Sequence, residues 1–146
     1  MRKIDEIIIH CTASKEGQGL HAADIDRMHR ANGWNGIGYH YVITLDGKVE
    51  KGRADDVTGA HTVGHNTRSI GVVYVGGLDR NGKAKDTRTF EQEQALYSLC
   101  CELVARHPGA RLSGHNQWAN KACPCFDVPE WAAFRGLPYD DTIKRV

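Results

Sequence analysis

The segment Ile4-Asp5-Glu6-Ile7-Ile8-Ile9-His10 constrains the fold more than any other. It is a short apolar run rich in β-branched residues, which reads as a buried strand, and it ends on an ionisable imidazole. A second such run, Ser69 to Val75, is closed by Gly76-Gly77, and a short one, Arg111 to Gly114, again leads into a histidine, His115. Tyr39 to Leu45 alternates as a strand, and Asp46-Gly47 supplies a tight turn into Lys48-Val49-Glu50. Helical spacing appears between these strands. Ala22 to Asn32 carries Ile25, Met28 and His29 on one face and stops at Gly33. Thr89 and Gln92 form a capping box for the longest helix, whose inner face is Leu96, Leu99, Cys100, Leu103 and Val104. Asp127 and Glu130 cap a last short helix, with Trp131 and Phe134 expected to face inward. Strands alternating with helices predict an α/β fold: a single domain with a central mixed β-sheet flanked by about three helices.

Length and charge narrow the function classes. The chain has 146 residues, the size of one ordinary domain, so residues 1–146 are expected to form one unit. Lys and Arg total 19 against 18 Asp and Glu, a net charge of +1, which speaks against a non-specific nucleic-acid binder. No segment approaches the ~20 apolar residues of a membrane span. Met1 to Glu6 carries an acidic pair before a three-residue apolar run, so no secretory signal is expected and synthesis is expected in the cytoplasm. Five cysteines, with Cys100 and Cys101 adjacent, do not read as a disulfide framework.

Three possible metal ligands sit at strand ends or just beyond them: His10, His115 and Cys123. Two imidazoles and a thiolate make a three-ligand zinc site with a fourth position open for water. There is no CxxC pair and no HExxH helix, and spacing alone leaves two readings open. One is this metal site; the other is two satisfied core histidines and a small buried cysteine.

A set of motifs bears on that choice. Ile8-Ile9-His10-Cys11-Thr12-Ala13 resembles the first-strand motif of the zinc-dependent N-acetylmuramoyl-L-alanine amidases, the type 2 amidases that include the peptidoglycan recognition proteins. Gly33-Trp34, Ile37-Gly38-Tyr39-His40-Tyr41, Asp46-Gly47, Gly52-Arg53, Gly59-Ala60-His61, Asn66, Ser69-Ile70-Gly71-Val72, Gly114-His115 and Lys121-Ala122-Cys123-Pro124 follow in the family's order. The matches span about 10–131 and are most similar to single-domain phage lysozymes of the amidase type. The resemblance implies one catalytic Zn2+ held by His10, His115 and Cys123, with Tyr39 and Lys121 as catalytic residues. It implies cleavage of the amide between the lactyl group of N-acetylmuramic acid and L-alanine, with peptidoglycan as partner. Which of Tyr39, Lys121 or zinc-bound hydroxide manages the water's proton stays open. It further implies a wall-lytic role after release from the cytoplasm. Polymerase binding, known for some phage amidases, finds no support in the nine residues before His10. A monomer is expected.

Other residues carry weaker signals. His61 is expected to line the substrate groove, and Asn66 and Thr67 to contact the stem peptide. His40 alternates to the face opposite Tyr39, where packing or support is its expected role. His29 and Trp34 read as core, and His21, His65 and His107 as surface or cap residues. Cys11 faces away from His10 and should be buried. Cys125, two residues from Cys123, could oxidise or compete for metal, and the resemblance gives it no role. Gly17-Gln18-Gly19 lacks the third glycine of a dinucleotide fingerprint. Two rival functions remain: a non-catalytic peptidoglycan-recognition module, whose members typically lose the cysteine ligand, and a thiol hydrolase pairing Cys123 with His115.

Overall fold

The N-terminal apolar run becomes the central strand Glu6–Cys11 (β1) of a computed structural model that describes residues 2–142. In chain order there follow Ser14–Lys15 (β2), Ala22–Ala31 (α1), Tyr41–Ile43 (β3), Val49–Lys51 (β4), Ser69–Tyr74 (β5), Gly77–Leu78 (β6), Phe90–Arg106 (α2), Arg111–Gly114 (β7) and Val128–Phe134 (α3). Strand β1 lies between β5 and β7, parallel to both, which is why its residues from Ile7 onward are all buried. The main sheet runs β4-β3-β5-β1-β7, and only the β3–β4 hairpin is antiparallel. Among the described residues this is the expected mixed sheet with three α-helices. A parallel pair, β2 with β6, forms a second small sheet that the sequence pattern did not announce.

Alternation along the strands divides the core in two. Ile7, Ile9 and Cys11 join Ile70, Val72, Tyr74, Leu96, Leu99 and Leu103 in the larger cluster, together with Trp131 of α3. Val42, Val73 and Val75 face the other way and pack with Ile25 of α1 and Ile37. The capping box of α2 forms as expected, Thr89 Oγ1 accepting from Gln92 N–H at 3.0 Å and Gln92 Oε1 from Thr89 N–H at 2.9 Å. Gln92 is wholly buried because its Nε2 also donates to the Val75 carbonyl at 2.9 Å, at the end of the sheet.

Three packing expectations need correction. Phe134 is 87% exposed. The inward stripe of α3 is Val128, Trp131 and Ala132, and at roughly 100° per residue Phe134 falls more than a quarter turn from its centre. Met28 is 52% exposed, because α1 meets only the small second cluster and Ile25 is its one buried residue. Trp34 is 43% exposed and stands beside a groove, not in the core. The strand expected from Tyr39 starts only at Tyr41. Gly38, Tyr39 and His40 spread their backbone bonds over Ala60, Arg53, Gly52 and Gly71, so they do not follow one partner strand.

Candidate functional site

Parallel pairing brings the chemistry together. Ile9 of β1 is opposite Gly114 of β7, so the next residues of the two strands, His10 and His115, emerge side by side at the same sheet end, with ring centroids 4.6 Å apart. The loop after β7 returns Cys123 to the end of β1, where its Sγ accepts from Cys11 N–H at 3.2 Å. One ligand atom from each of His10, His115 and Cys123 lies within 4.8 Å of the others.

The donor set fits zinc. Four-coordinate zinc holds nitrogen and sulfur ligands roughly 3.6 Å apart, and His10 Nδ1 is 3.9 Å from Cys123 Sγ. Burial, with Lys121 and the neighbouring histidines, lowers the pKa of His10 well below its ordinary value, and burial then Lys121 lowers that of His115. Both are therefore neutral imidazoles with a lone pair to give. Hydrogen bonds from the Cys11 side chain and then its backbone N–H lower the Cys123 thiol against the opposing effect of burial. The two neighbouring thiols move the other way. Cys11 is raised by its bond to Cys123 and by burial, and burial pushes Cys125 up to about 12. Cys123 is thus the thiol of the three most readily ionised.

His10 also shows which nitrogen is committed elsewhere. Its Nε2 lies 2.9 Å from His61 Nδ1 and 3.3 Å from Thr62 Oγ1. His61 Nε2 is 3.2 Å from Ser69 Oγ, and burial lowers the His61 pKa to about 3. The chain His10–His61–Ser69 therefore consists of neutral groups. Gly71 makes room for it, since a Cβ there would stand 2.6 Å from the His61 ring. Asn66 Oδ1 accepts from the backbone N–H of His61 and of Thr62, both at 2.9 Å, and so holds the loop that carries the ring.

A groove of about 320 Å³ opens from this centre, lined by Trp34, Tyr39, Ala60, His61, Thr62, Val63, Asn66, His115 and Lys121. The Tyr39 ring is 5.1 Å from that of His10, and burial, with the nearby cysteines, raises its phenol above the usual value, so it keeps its proton as a donor. His29 packs between Trp34 and Tyr39 with tilted rings, centroids 4.5 and 5.6 Å away, and accepts from Gly38 N–H, so it supports the groove wall. Thr67 is exposed and lies outside this lining. His40 is buried behind His61, at 6.0 Å between ring centroids, with Nδ1 accepting from Gly71 N–H. His21 precedes α1 and His107 follows α2 as terminal caps, and His65 pairs with Glu6 and stacks on Trp118. A larger cavity, about 500 Å³, opens beside Asn116, Cys125 and Asp127 and has none of His10, His115 and Cys123 in its wall.

Sequence reasoning did not foresee the bond between His61 and His10. Fifty-one positions separate the two residues, and no local pattern links them.

The N-acetylmuramoyl-L-alanine amidase family model matches residues 1–126. The endolysin of Escherichia phage T7 is 43% identical over 127 residues, 87% of this chain and 84% of that protein. Among solved structures, the amidase LysC from Clostridium intestinale URNW superposes with a TM-score of 0.79 at 26% identity, covering 93% of this chain and 87% of that one. Bumblebee PGRP-SA gives the same TM-score at 26% identity, over 97% and 87%. The family model and the endolysin relative together show that the chain belongs to the N-acetylmuramoyl-L-alanine amidase family.

Proposed function

We propose that this chain is a phage-type lysis enzyme that hydrolyses the amide between the lactyl group of N-acetylmuramic acid and L-alanine of the peptidoglycan stem peptide. One Zn2+ held by His10, His115 and Cys123 serves the reaction, and residues 1–146 act as one catalytic domain. The observation that carries this reading is the convergence of two neutral imidazoles and the most acidic thiol of its cluster beside a groove.

When bound, zinc supplies Lewis acidity, bringing the pKa of water in its open position to about 7 and polarising a carbonyl. The protein's own groups do the rest. His61 orients His10 through Nε2, leaving Nδ1 for the metal. Tyr39 presents a protonated phenol at the groove wall, where it can hydrogen-bond the attacking water or the carbonyl oxygen. Lys121 lines the same groove and places an ammonium near the negative charge that grows on that oxygen. Trp34 supplies apolar wall for the glycopeptide, and Asn66 shapes the loop opposite.

The test is amino-group release from purified sacculi. New L-alanine amino termini should appear, vanish with a chelator and return with zinc. Release that survives chelation but not iodoacetamide would instead favour a thiol hydrolase. Binding without release by the zinc-loaded protein would favour a recognition module.

A further inference from the structure

Two thiols beside the metal centre lie outside the groove. Cys11 Sγ and Cys125 Sγ are 3.9 Å apart, although the residues are separated by 114 positions. Several features hold them there. Cys125 has a left-handed backbone (φ 70°), its N–H donates to the Ala122 carbonyl at 2.7 Å, and its Sγ lies 3.2 Å from the Gly77 carbonyl. Gly77 has φ 104°, and a Cβ there would stand 2.4 Å from Cys11 Sγ. That space is kept for sulfur.

We infer that Cys11 and Cys125 are a redox-modification site, a dithiol that a disulfide oxidant converts to a Cys11–Cys125 disulfide while leaving Cys123 free. Access sets the order of events. Cys125 is half-buried and forms part of the wall of the 500 Å³ cavity with Asn116 and Asp127, whereas Cys11 is only 5% exposed. With glutathione disulfide as oxidant, Cys125 sulfur attacks one glutathione sulfur. A mixed disulfide forms and one glutathione thiolate leaves. Cys11 sulfur then attacks Cys125 sulfur, forms the internal bond and expels the second glutathione. The two cysteine protons pass to the two departing thiolates, so two cysteines are oxidised and one glutathione disulfide is reduced to two thiols.

The pairing matters because three thiols meet at this sheet end. Any disulfide through Cys123 would remove a metal ligand. Joining Cys11 to Cys125 uses up both of its neighbours and ties the end of β1 to the turn that carries Cys123. Both thiols are shielded from solvent, Cys11 more than Cys125, which slows the exchange without deciding its equilibrium.

The experiment equilibrates the zinc-supplemented full chain with an oxidising glutathione buffer at mildly alkaline pH, followed by intact mass and peptide mapping. The expected result is loss of two hydrogens, a mapped Cys11–Cys125 peptide pair and reversal by dithiothreitol. Cys125→Ser should keep its reduced mass and its amino-group release. The oxidised wild type should melt higher than its reduced form by roughly 5–10 °C, since the cross-link closes a long loop. Four free-standing outcomes would overturn the inference: no loss of hydrogens at equilibrium, a disulfide through Cys123, one through Cys100 or Cys101, or a lasting glutathione adduct on Cys125. These are covalent readouts, so they stand apart from whether the protein proves to be a zinc amidase.

Discussion

His10 directs Nε2 to His61 Nδ1 at 2.9 Å, and its other nitrogen, Nδ1, faces Cys123 Sγ at 3.9 Å. A hydrogen bond on one side of an imidazole thus leaves the nitrogen on the other side as the one free to meet a metal. Metal-binding histidines commonly rely on such a partner, often a carboxylate, to fix tautomer and ring angle. Here a neutral histidine, itself braced by Ser69, fills that position.

His61→Ala should weaken zinc binding by roughly 10–100-fold. Competition with a chromophoric chelator measures this without reference to catalysis, and circular dichroism checks the fold. His61→Asn, which can still offer an acceptor, should recover part of the loss. Unchanged zinc affinity in His61→Ala would show that His10 needs no partner to orient it.

Gly71→Ala should disturb the same arrangement from below. The new methyl would meet the His61 ring at 2.6 Å in a closely packed layer. Overpacking of this kind costs about 1–3 kcal/mol, readable as a lower denaturant midpoint. Zinc affinity should fall with it, and a variant as stable as the parent would mean the ring can simply move aside.

Lys121→Met should lower kcat roughly 100-fold with KM changed little, because its ammonium is assigned to charge that appears only in the transition state. Tyr39→Phe should also lower kcat while zinc content stays at the parental level. A rise in KM alone for Lys121→Met would reassign the lysine to substrate binding.

Stability should fall as the metal-free protein is acidified from about pH 6.5 towards 4. His40 is wholly buried, and burial lowers its pKa to about 4 in the fold. Its Nδ1 accepts from Gly71 N–H, which requires the neutral ring, while the Val57 carbonyl 2.8 Å from Nε2 favours charge and only partly offsets burial. Arg2 and Lys51 disfavour its charge, and Asp55 partly offsets them. The unfolded chain binds a proton near pH 6.5 that the folded chain refuses until about pH 4. Folding stability therefore decreases across that window, by on the order of 3 kcal/mol from this one group. Urea titrations at both ends of the window should give a smaller decrease for His40→Asn than for the parent. Equal slopes would place the acid sensitivity elsewhere.

Much of the fold was legible because burial writes itself into local pattern. The isoleucine run announced a buried strand, and Thr89 with Gln92 announced the start of α2. Where a helix has a narrow contact, the pattern misleads. Met28 and Phe134 are large and apolar yet exposed, since α1 and α3 each bury a single stripe. His10, His115 and Cys123 could be picked out as strand-end candidates, but only parallel pairing and the loop after β7 put them within reach of each other. The partners of His61 and Cys125 were not legible at all. Both contacts join distant parts of the chain through glycine-made space, and an absent side chain leaves no periodic trace.

The central place of β1 also sets a timetable for biosynthesis. Within the main sheet, the strand made first is the one whose neighbours, β5 and β7, are made last. At about 5–20 residues per second, Ile7-Ile8-Ile9 waits roughly 5–20 s before β7 exists to cover its second edge. His10 meets His115 and Cys123 only after nearly the whole domain has been made. The candidate site therefore assembles late, and β1 is the segment most in need of shelter while synthesis continues.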